Sequence, residues 1–477
     1  VSQILKKGLF INGQWQMTNE YMEVYAPYSK EVIAQFAMAT EEDIQHAIKS
    51  AHAAESEMAD LTAFQRAEIL EQLSDLFAEN REEAARIISL ESAKPLKYAY
   101  SEIDRTIETY KFAAEEAKRL SGEMIPMDAS KSGEGRFGYT IHEPLGVIAA
   151  ITPFNFPQNL VAHKVGPALA AGNTIVLKPA TQTALSAHFL AKLLAQTNLP
   201  PGAFNIVTGQ GKLVGDAFLA HPKVKMVTFT GSPEVGISLR NRAGLKKVTL
   251  ELGSNAGAIV DEGVQLDKIM DRIVMGAFSN QGQVCISLQR IYVKEKIIDE
   301  FLEQLKTKIE RLKIGDPLDA TTDLSMMISE TEQQRAVTWI NEALAEGAEV
   351  LTGGRIENNI LLPTVLLNVS STSRVSSEEI FAPVVIVNTV SSVEEAIDAV
   401  NDSNYGLQAG IFTPSIETAF KASKKLQVGG VIINDVPTYR VDHMPYGGVK
   451  ESGSGREGIK YAVEEMTEMK LVIWNNN

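Results

Sequence analysis

A chain of 477 residues, 44% hydrophobic and 22% charged, with a formal net charge of -15, has an ordinary globular composition and the length for two or three structural units. Its acidity repels nucleic-acid phosphates and anionic lipid, no basic run offsets it, and no run reaches the roughly 18 apolar residues of a membrane helix. One cysteine, Cys285, allows no internal disulfide, leaves no metal site expected and fits a reducing, cytoplasmic compartment.

The opening, VSQILKKGLFINGQWQ, has no long apolar core before a small-residue cleavage site, so no secretory leader is expected. Apolar residues then recur three and four apart in 41–59, 63–80 and 100–120, which predicts helices. The texture changes over 122–150, where RFGYTIHEPLGVIAAITP is β-rich and broken by Gly and Pro. Between 173 and 253 one pattern repeats. NTIVLKP, FNIVTG, KMVTFTG and KKVTLELG are short runs, apolar on both faces, the first three each followed by a helix-like segment. That pattern predicts a parallel sheet covered on both sides, an α/β fold. Ligands of such sheets bind beyond the carboxyl ends of the strands, which singles out Lys178, Gly209, Gly231, Ser232 and Glu251. A second α/β set follows, with the chain crossing near 253. NAGAIV and RIYVKE read as strands, 296–317 as a long helix stopped by Gly-Asp-Pro, and EEIFAPVVIVNTV and GGVIINDV continue the pattern.

Taken singly, the candidate residues are ambiguous. A lone cysteine reads first as a buried filler. Cys285, however, follows the small polar stretch FSNQGQV after a helix-like segment, where a thiol is accessible for attack on a carbonyl. Glu251 reads as a surface carboxylate or as a general base at the sheet's carboxyl edge. Asn155, in the stiff turn TPFNFPQN, reads as a turn former or as an oxyanion donor. GSGREG fits G-x-G-x-x-G by letter but follows no strand and leaves too little chain for a βαβ unit. FTGSPEVG lacks the fingerprint yet ends a strand and opens a helix, where a pyrophosphate can sit. Lys178 reads as a solvated lysine or as a ribose contact.

In order and spacing, PFNFP, KPA, FTGSPEVG, LELG, GQVC, EEIFAPV and PYGGVKESGSGRE make the chain similar to the aldehyde dehydrogenase superfamily over nearly its whole length. The resemblance implies a nucleophile at Cys285, a general base at Glu251, and an oxyanion hole from Asn155 and the backbone N–H of Cys285. It implies a coenzyme site with Lys178 on the adenosine ribose, Ser232 on the pyrophosphate, and Glu379 with Phe381 on the nicotinamide ribose. That site extends to Thr152, Pro153, Phe154, Thr181, Gly231 and Gly253. The implied fold is a Rossmann-like coenzyme domain (1–121 and 145–253), an α/β catalytic domain (254–441) and a β-arm (122–144 and 456–477) joining subunits into a dimer or tetramer. The implied reaction oxidises an aldehyde with NAD or NADP through a thiohemiacetal and a thioester.

Two features refine the expectation. NAD-preferring relatives often carry Glu three residues after the lysine; here Thr181 stands there, so no carboxylate repels a 2′-phosphate and NADP is expected to be accepted. DVPTYRVDHMPYGG resembles the branch that handles small polar aldehydes such as lactaldehyde, succinic semialdehyde and phosphonate- or sulfonate-bearing ones. Arg105, Arg440 and Phe156 line the substrate mouth in that branch, and the two arginines suit an anionic group. Arg105 has an alternative in salt bridges to Glu102, Asp104 and Glu108 on its own helix. Two other readings stay open: an acylating, coenzyme A-dependent enzyme, against which Glu251 argues, and a catalytically silent binding protein. A phosphorylating dehydrogenase would need a histidine base and an N-terminal dinucleotide fingerprint, which the sequence lacks.

Overall fold

A computed structural model describes residues 5–475. Residues 1–4 of the opening segment and 476–477 of the expected arm lie outside the described residues. An eight-stranded sheet is built from Gly453–Ser454, Lys247–Glu251, Val224–Thr230, Val147–Ile151, Thr174–Lys178, Phe204–Ile206, Leu9–Ile11 and Gln14–Gln16, in that order. The strands from Lys247–Glu251 to Phe204–Ile206 run parallel, and the outer ones pair antiparallel. Their apolar runs have a simple cause. Ile148, Ala150, Ile175 and Leu177 enter one core with the helices Ala63–Glu79, Leu96–Arg119 and Asn159–Ala170, whereas Val147, Ala149 and Val176 enter another with Glu41–Ala53 and Gly211–Ala220. Both faces of each strand are therefore dry, and each large aliphatic side chain so buried contributes about 1.5–3 kcal/mol.

The second sheet has seven strands, ordered Glu349–Thr352, Thr364–Leu367, Val384–Val390, Arg290–Lys294, Gly257–Val260, Gln408–Phe412 and Gly430–Ile433, parallel except for the first. A third, antiparallel sheet joins Thr467–Asn475 to Arg136–Pro144 and Met124–Ile125. The helix Ile459–Glu465 packs Ile459 and Val463 into the core of the first sheet. Among the described residues no helix is long and apolar enough to cross a membrane, and no acidic, His or Cys group could hold a metal.

Some expected elements have other bounds. The 41–59 helix is interrupted at Ala54, giving Glu41–Ala53 and Glu55–Asp60. Leu96–Arg119 starts before 100 because Pro95, with φ -53, presets the entry into its first turn. The helix expected over 296–317 is confined to Ile298–Ile309; beyond it Ile314 forms a bridge with Leu324. The helix Arg81–Ser92 and the strands before residue 40 were not among the expected elements.

Candidate active site

The loop carrying Cys285 leaves the helix Leu266–Phe278 through three successive left-handed residues, Asn280, Gln281 and Gly282, with φ of 50°, 58° and 68°. A non-glycine residue costs roughly 1–2 kcal/mol in that region, so other contacts must hold the loop. Gln281 Nε2 donates to Ala93 O (2.9 Å) and Met326 O (2.7 Å). Gln283 Oε1 accepts from Ile328 N at 3.0 Å. A Cβ on Gly282 would lie 2.0 Å from the Ala382 carbonyl oxygen, so only glycine fits. The loop delivers a half-buried Cys285 to the wall of a cavity of about 280 Å³, at the small end of ligand pockets. Its sulfur lies 2.8 Å from Tyr446 Oη.

Asn155 follows the strand Val147–Ile151 through Thr152-Pro153-Phe154 and is buried. One N–H of its amide donates to Gln283 O at 2.9 Å, two residues before the cysteine. An amide carries two N–H donors, so a group fixed in this way can offer the second to a developing oxyanion. Glu251 ends the strand Lys247–Glu251, is buried, and has no hydrogen-bond partner on either carboxylate oxygen. Burial, reinforced by Glu457, pushes its carboxyl well above the usual range against the pull of Arg440, Lys164 and Arg456. Glu457 behaves oppositely. Burial would raise it, but Lys164 (3.0 Å) and Arg440 (3.0 Å) hold it at about 2. Two carboxyls pushed apart in this way make one a fixed anion and the other a proton acceptor of raised basicity. Burial also pushes the Cys285 thiol up to about 12, with Tyr446 and Arg440 opposing.

Of the expected coenzyme residues, Glu379 acts on the Cys285 thiol through its charge. Phe154 and Phe381 meet edge to face, ring centroids 5.9 Å apart at 88°. Phe381 has φ 50°, and Arg335 Nη2 donates to the preceding carbonyl of Ile380 at 2.7 Å. Glu379 Oε1 accepts from Ser254 N at 2.9 Å, and burial raises its carboxyl to about 8 against that bond and Arg335. A Cβ on Gly253 would lie 2.5 Å from Glu379 Oε2, and one on Gly231 2.5 Å from the Phe229 ring. Lys178 is buried rather than solvated, with Nζ on Pro179 O at 3.1 Å, and burial lowers it to about 8. Its carbonyl accepts from Thr152 N at 3.2 Å. Pro153 lies between Thr152 and Phe154, and Thr181 is half-buried at the start of the turn Thr181–Thr183. Ser232 is the N-cap of Pro233–Arg242 and makes no side-chain capping bond, which leaves the helix start available to an anion.

Arg105, Arg440 and Phe156 all line the cavity of Cys285. The helical partners proposed for Arg105 are not its partners. Glu102 forms a buried pair with Lys94, and Asp104 takes Arg81 at 2.5 and 2.7 Å. Arg105 instead grips Asp442, with Nε at 3.1 Å and Nη2 at 2.7 Å. Asp442 also accepts from Asn159 (2.9 Å) and engages His163 (2.8 Å), and these partners with Arg105 hold its carboxyl far below the usual range despite burial. A helix-local reading fails here because Glu102 is committed to the interior, where its other oxygen accepts from the N–H groups of Gln158 and Asn159. Arg440 lies 3.7 Å over the Tyr446 ring, and its buried Nε has no partner. Lys94, which lies 3.8 Å over Phe156 and is paired to Glu102, and Arg272, paired to Asp435 at 2.8 Å, also line the cavity.

Sequence reasoning did not single out Tyr446, Asp442, Glu457, Lys164, Lys94 or Arg272. Tyr446 and Glu457 stood in the quoted stretch PYGGVKESGSGRE, but nothing local named their partners.

Residues 15–472 match the Aldehyde dehydrogenase family. The chain is 44% identical to a 3-sulfolactaldehyde dehydrogenase of Priestia aryabhattai, covering 100% of this chain and 99% of that protein. It is 40% identical to a lactaldehyde dehydrogenase of Methanococcus aeolicus, covering 98% and 100%. The crystal structure of a glyceraldehyde-3-phosphate dehydrogenase from Methanocaldococcus jannaschii, complexed with NADP, superposes with a TM-score of 0.92 at 40% identity, covering 96% of this chain and 100% of that one.

Proposed function

The chain belongs to the aldehyde dehydrogenase family, and we propose that it oxidises a small aldehyde bearing an anionic group to the carboxylic acid, with NADP or NAD as oxidant. The observation that carries this reading is the grouping of a fixed Asn155 amide, bonded to Gln283 O two residues before Cys285, with an unpartnered Glu251 carboxyl of raised basicity whose charge is felt at the Cys285 thiol.

The coenzyme residues fit a dinucleotide. Gly231 and Gly253 stand where a side chain would collide, the start of Pro233–Arg242 is uncapped by Ser232, and Glu379 and Phe381 close on Gly253 and Phe154. Lys178, Thr181 and Ser232 would hold the adenosine and phosphate end, with Thr152, Pro153 and Phe154 beside them; Glu379 and Phe381 would hold the nicotinamide ribose. When bound, the coenzyme supplies the acceptor for the two electrons removed from the aldehyde carbon.

The protein's own residues do the rest. Cys285 gives up its proton to solvent water and its sulfur bonds to the aldehyde carbon, while the electron pair of the carbonyl π bond moves onto oxygen as an oxyanion. The Asn155 amide and the Cys285 backbone N–H receive that charge, a contribution of about 3–4 kcal/mol per donor to the barrier. After oxidation the acyl group sits on sulfur as a thioester. Glu251 takes a proton from water as its oxygen bonds to the acyl carbon, and the acid departs as sulfur leaves. A base at that position supports hydrolysis over transfer to coenzyme A, so coenzyme A is expected to leave the rate unchanged.

Lys94, Arg105, Arg272 and Arg440 around a small cavity support an anionic substrate. Arg105 spends two of its five N–H donors on Asp442, leaving others for a sulfonate, phosphate or carboxylate. Arg105→Ala is expected to raise KM for succinic semialdehyde by about 10- to 100-fold, the loss of a charged hydrogen bond, with little change for propanal. Steady-state assays on both aldehydes check this, and an equal loss on the two would overturn it. Thr181 supports NADP. Thr181→Glu sets a carboxylate where a 2′-phosphate would lie, so KM for NADP is expected to rise roughly tenfold or more with a smaller change for NAD; comparable shifts for both coenzymes would refute the assignment.

The same reading assigns 1–121 and 145–253 to coenzyme binding, 254–441 to catalysis, and 122–144 with 456–477 to an arm that pairs subunits into a homodimer or homotetramer. Exposed Met469, Leu471, Ile473 and Trp474 on the strand Thr467–Asn475 support such an arm, and a single cysteine suits the cytoplasm.

A further inference from the structure

We infer that Tyr446 is a catalytic residue, its hydroxyl donating a hydrogen bond to the Cys285 sulfur whenever that sulfur carries negative charge. This rests on Cys285 being the nucleophile.

The sulfur sits in an apolar cluster of Val284, Ile286, Leu407, Phe156 and Met444, a poor medium for a thiolate. Into that cluster Tyr446 brings one polar atom, 2.8 Å from Sγ. The ring cannot drift away. Its backbone exchanges two hydrogen bonds with Glu457, at 2.9 and 2.7 Å, and Arg440 lies 3.7 Å over its face. Glu457 anchors that arginine at 3.0 Å and is itself held by Lys164 at 3.0 Å. Glu457 thus fixes Tyr446 twice, through its own main chain and, by its carboxylate, through the cation on the ring's face. The cation over the ring polarises it and strengthens the O–H as a donor.

In the resting state either group can donate. Once the thiol has lost its proton, only the phenol can, and burial keeps the phenol protonated. The other charged groups that act on the thiol are Arg440, which favours the thiolate, and Glu379 and Glu251, which oppose it. The hydroxyl acts twice in the cycle. It stabilises the thiolate before the S–C bond forms. In hydrolysis water adds to the acyl carbon, Glu251 takes the proton, the C–S bond breaks and its electron pair leaves on sulfur, which again accepts the Tyr446 O–H. The phenol transfers no proton in either step.

Because the chain has one cysteine, the test is direct. Iodoacetamide labelling of the intact protein is followed by mass spectrometry. Labelling is compared at a fixed pH of about 8, well below the value of about 12 to which burial pushes the thiol; in Tyr446→Phe it is expected to slow roughly tenfold, the value of a hydrogen bond to a charged group. Substituting 3-fluorotyrosine at 446, a stronger donor, should speed it. A residue that only fills space would leave both rates at the parent value, and that result would overturn the proposal. Melting temperature and NADP binding of each variant separate misfolding from the loss of a donor. Failure of the underlying reading looks different: Cys285→Ala would then retain dehydrogenase activity.

Discussion

Cys285→Ala is expected to bind NADP as tightly as the parent yet to form reduced coenzyme at a rate lower by on the order of 10⁴- to 10⁶-fold, the scale on which removal of a covalent nucleophile acts. No second thiol can take over, because the chain has one cysteine. The loop should survive the change. Its left-handed residues are held by the hydrogen bonds of Gln281 and Gln283, none of which involves the thiol. Absorbance at the reduced-nicotinamide band gives the rate, and calorimetric titration gives the binding. Activity within tenfold of the parent would remove Cys285 from the mechanism, and lost binding would mean that the loop had collapsed.

Glu251→Gln is expected to separate the two halves of the reaction. Acylation proceeds once, giving a burst of reduced coenzyme close to one equivalent per site. Hydrolysis then slows by about 10²- to 10⁴-fold for want of a base. In the parent, hydrolysis should quicken as pH rises through the raised pKa of Glu251, and this limb should vanish in the variant. Stability should move the other way. A buried carboxyl with a raised folded pKa lowers stability once pH exceeds its unfolded value, near 4.5. Below that value the two proteins should melt together. Above it the variant should melt higher, with a gap that widens until pH passes the folded pKa. A parent that melts no lower than the variant at neutral pH would mean that Glu251 has a stabilising partner. Stopped-flow absorbance and thermal melts across pH read both effects.

Much of the first sheet was legible in the sequence because dry strands leave a signature: Thr174–Lys178 is apolar on both faces wherever it is read. Cys285, Glu251 and Asn155 were ambiguous when read one at a time, and only the order and spacing of motifs along the whole chain named them together. The electrostatics were not legible. Arg105 suggested the acidic neighbours Glu102, Asp104 and Glu108, one and three residues away, whereas its partner is 337 residues distant. Tyr446 and Cys285 are 161 apart, and Lys164 and Glu457 are 293 apart. Such pairs are chosen by the closing of the two sheets on each other, and the periodicity of either segment carries no trace of the other. Lys178 and Glu251 were hard for a related reason. A charged side chain at a strand end reads as solvated until the layer above it is known.

The Gly282 contact bears on how this pocket could be redesigned. With Ala382 O 2.0 Å from any Cβ there, and with two neighbouring residues already left-handed, the loop that brings Cys285 to the cavity has no room for adjustment by small steps. The cavity is also lined by long side chains, Arg105, Arg272 and Tyr439 among them, whose length and charge can be changed without moving the main chain. The cavity therefore has a rigid part that sets the reaction and an adjustable part that sets its guest. A library meant to alter the aldehyde should be confined to the second.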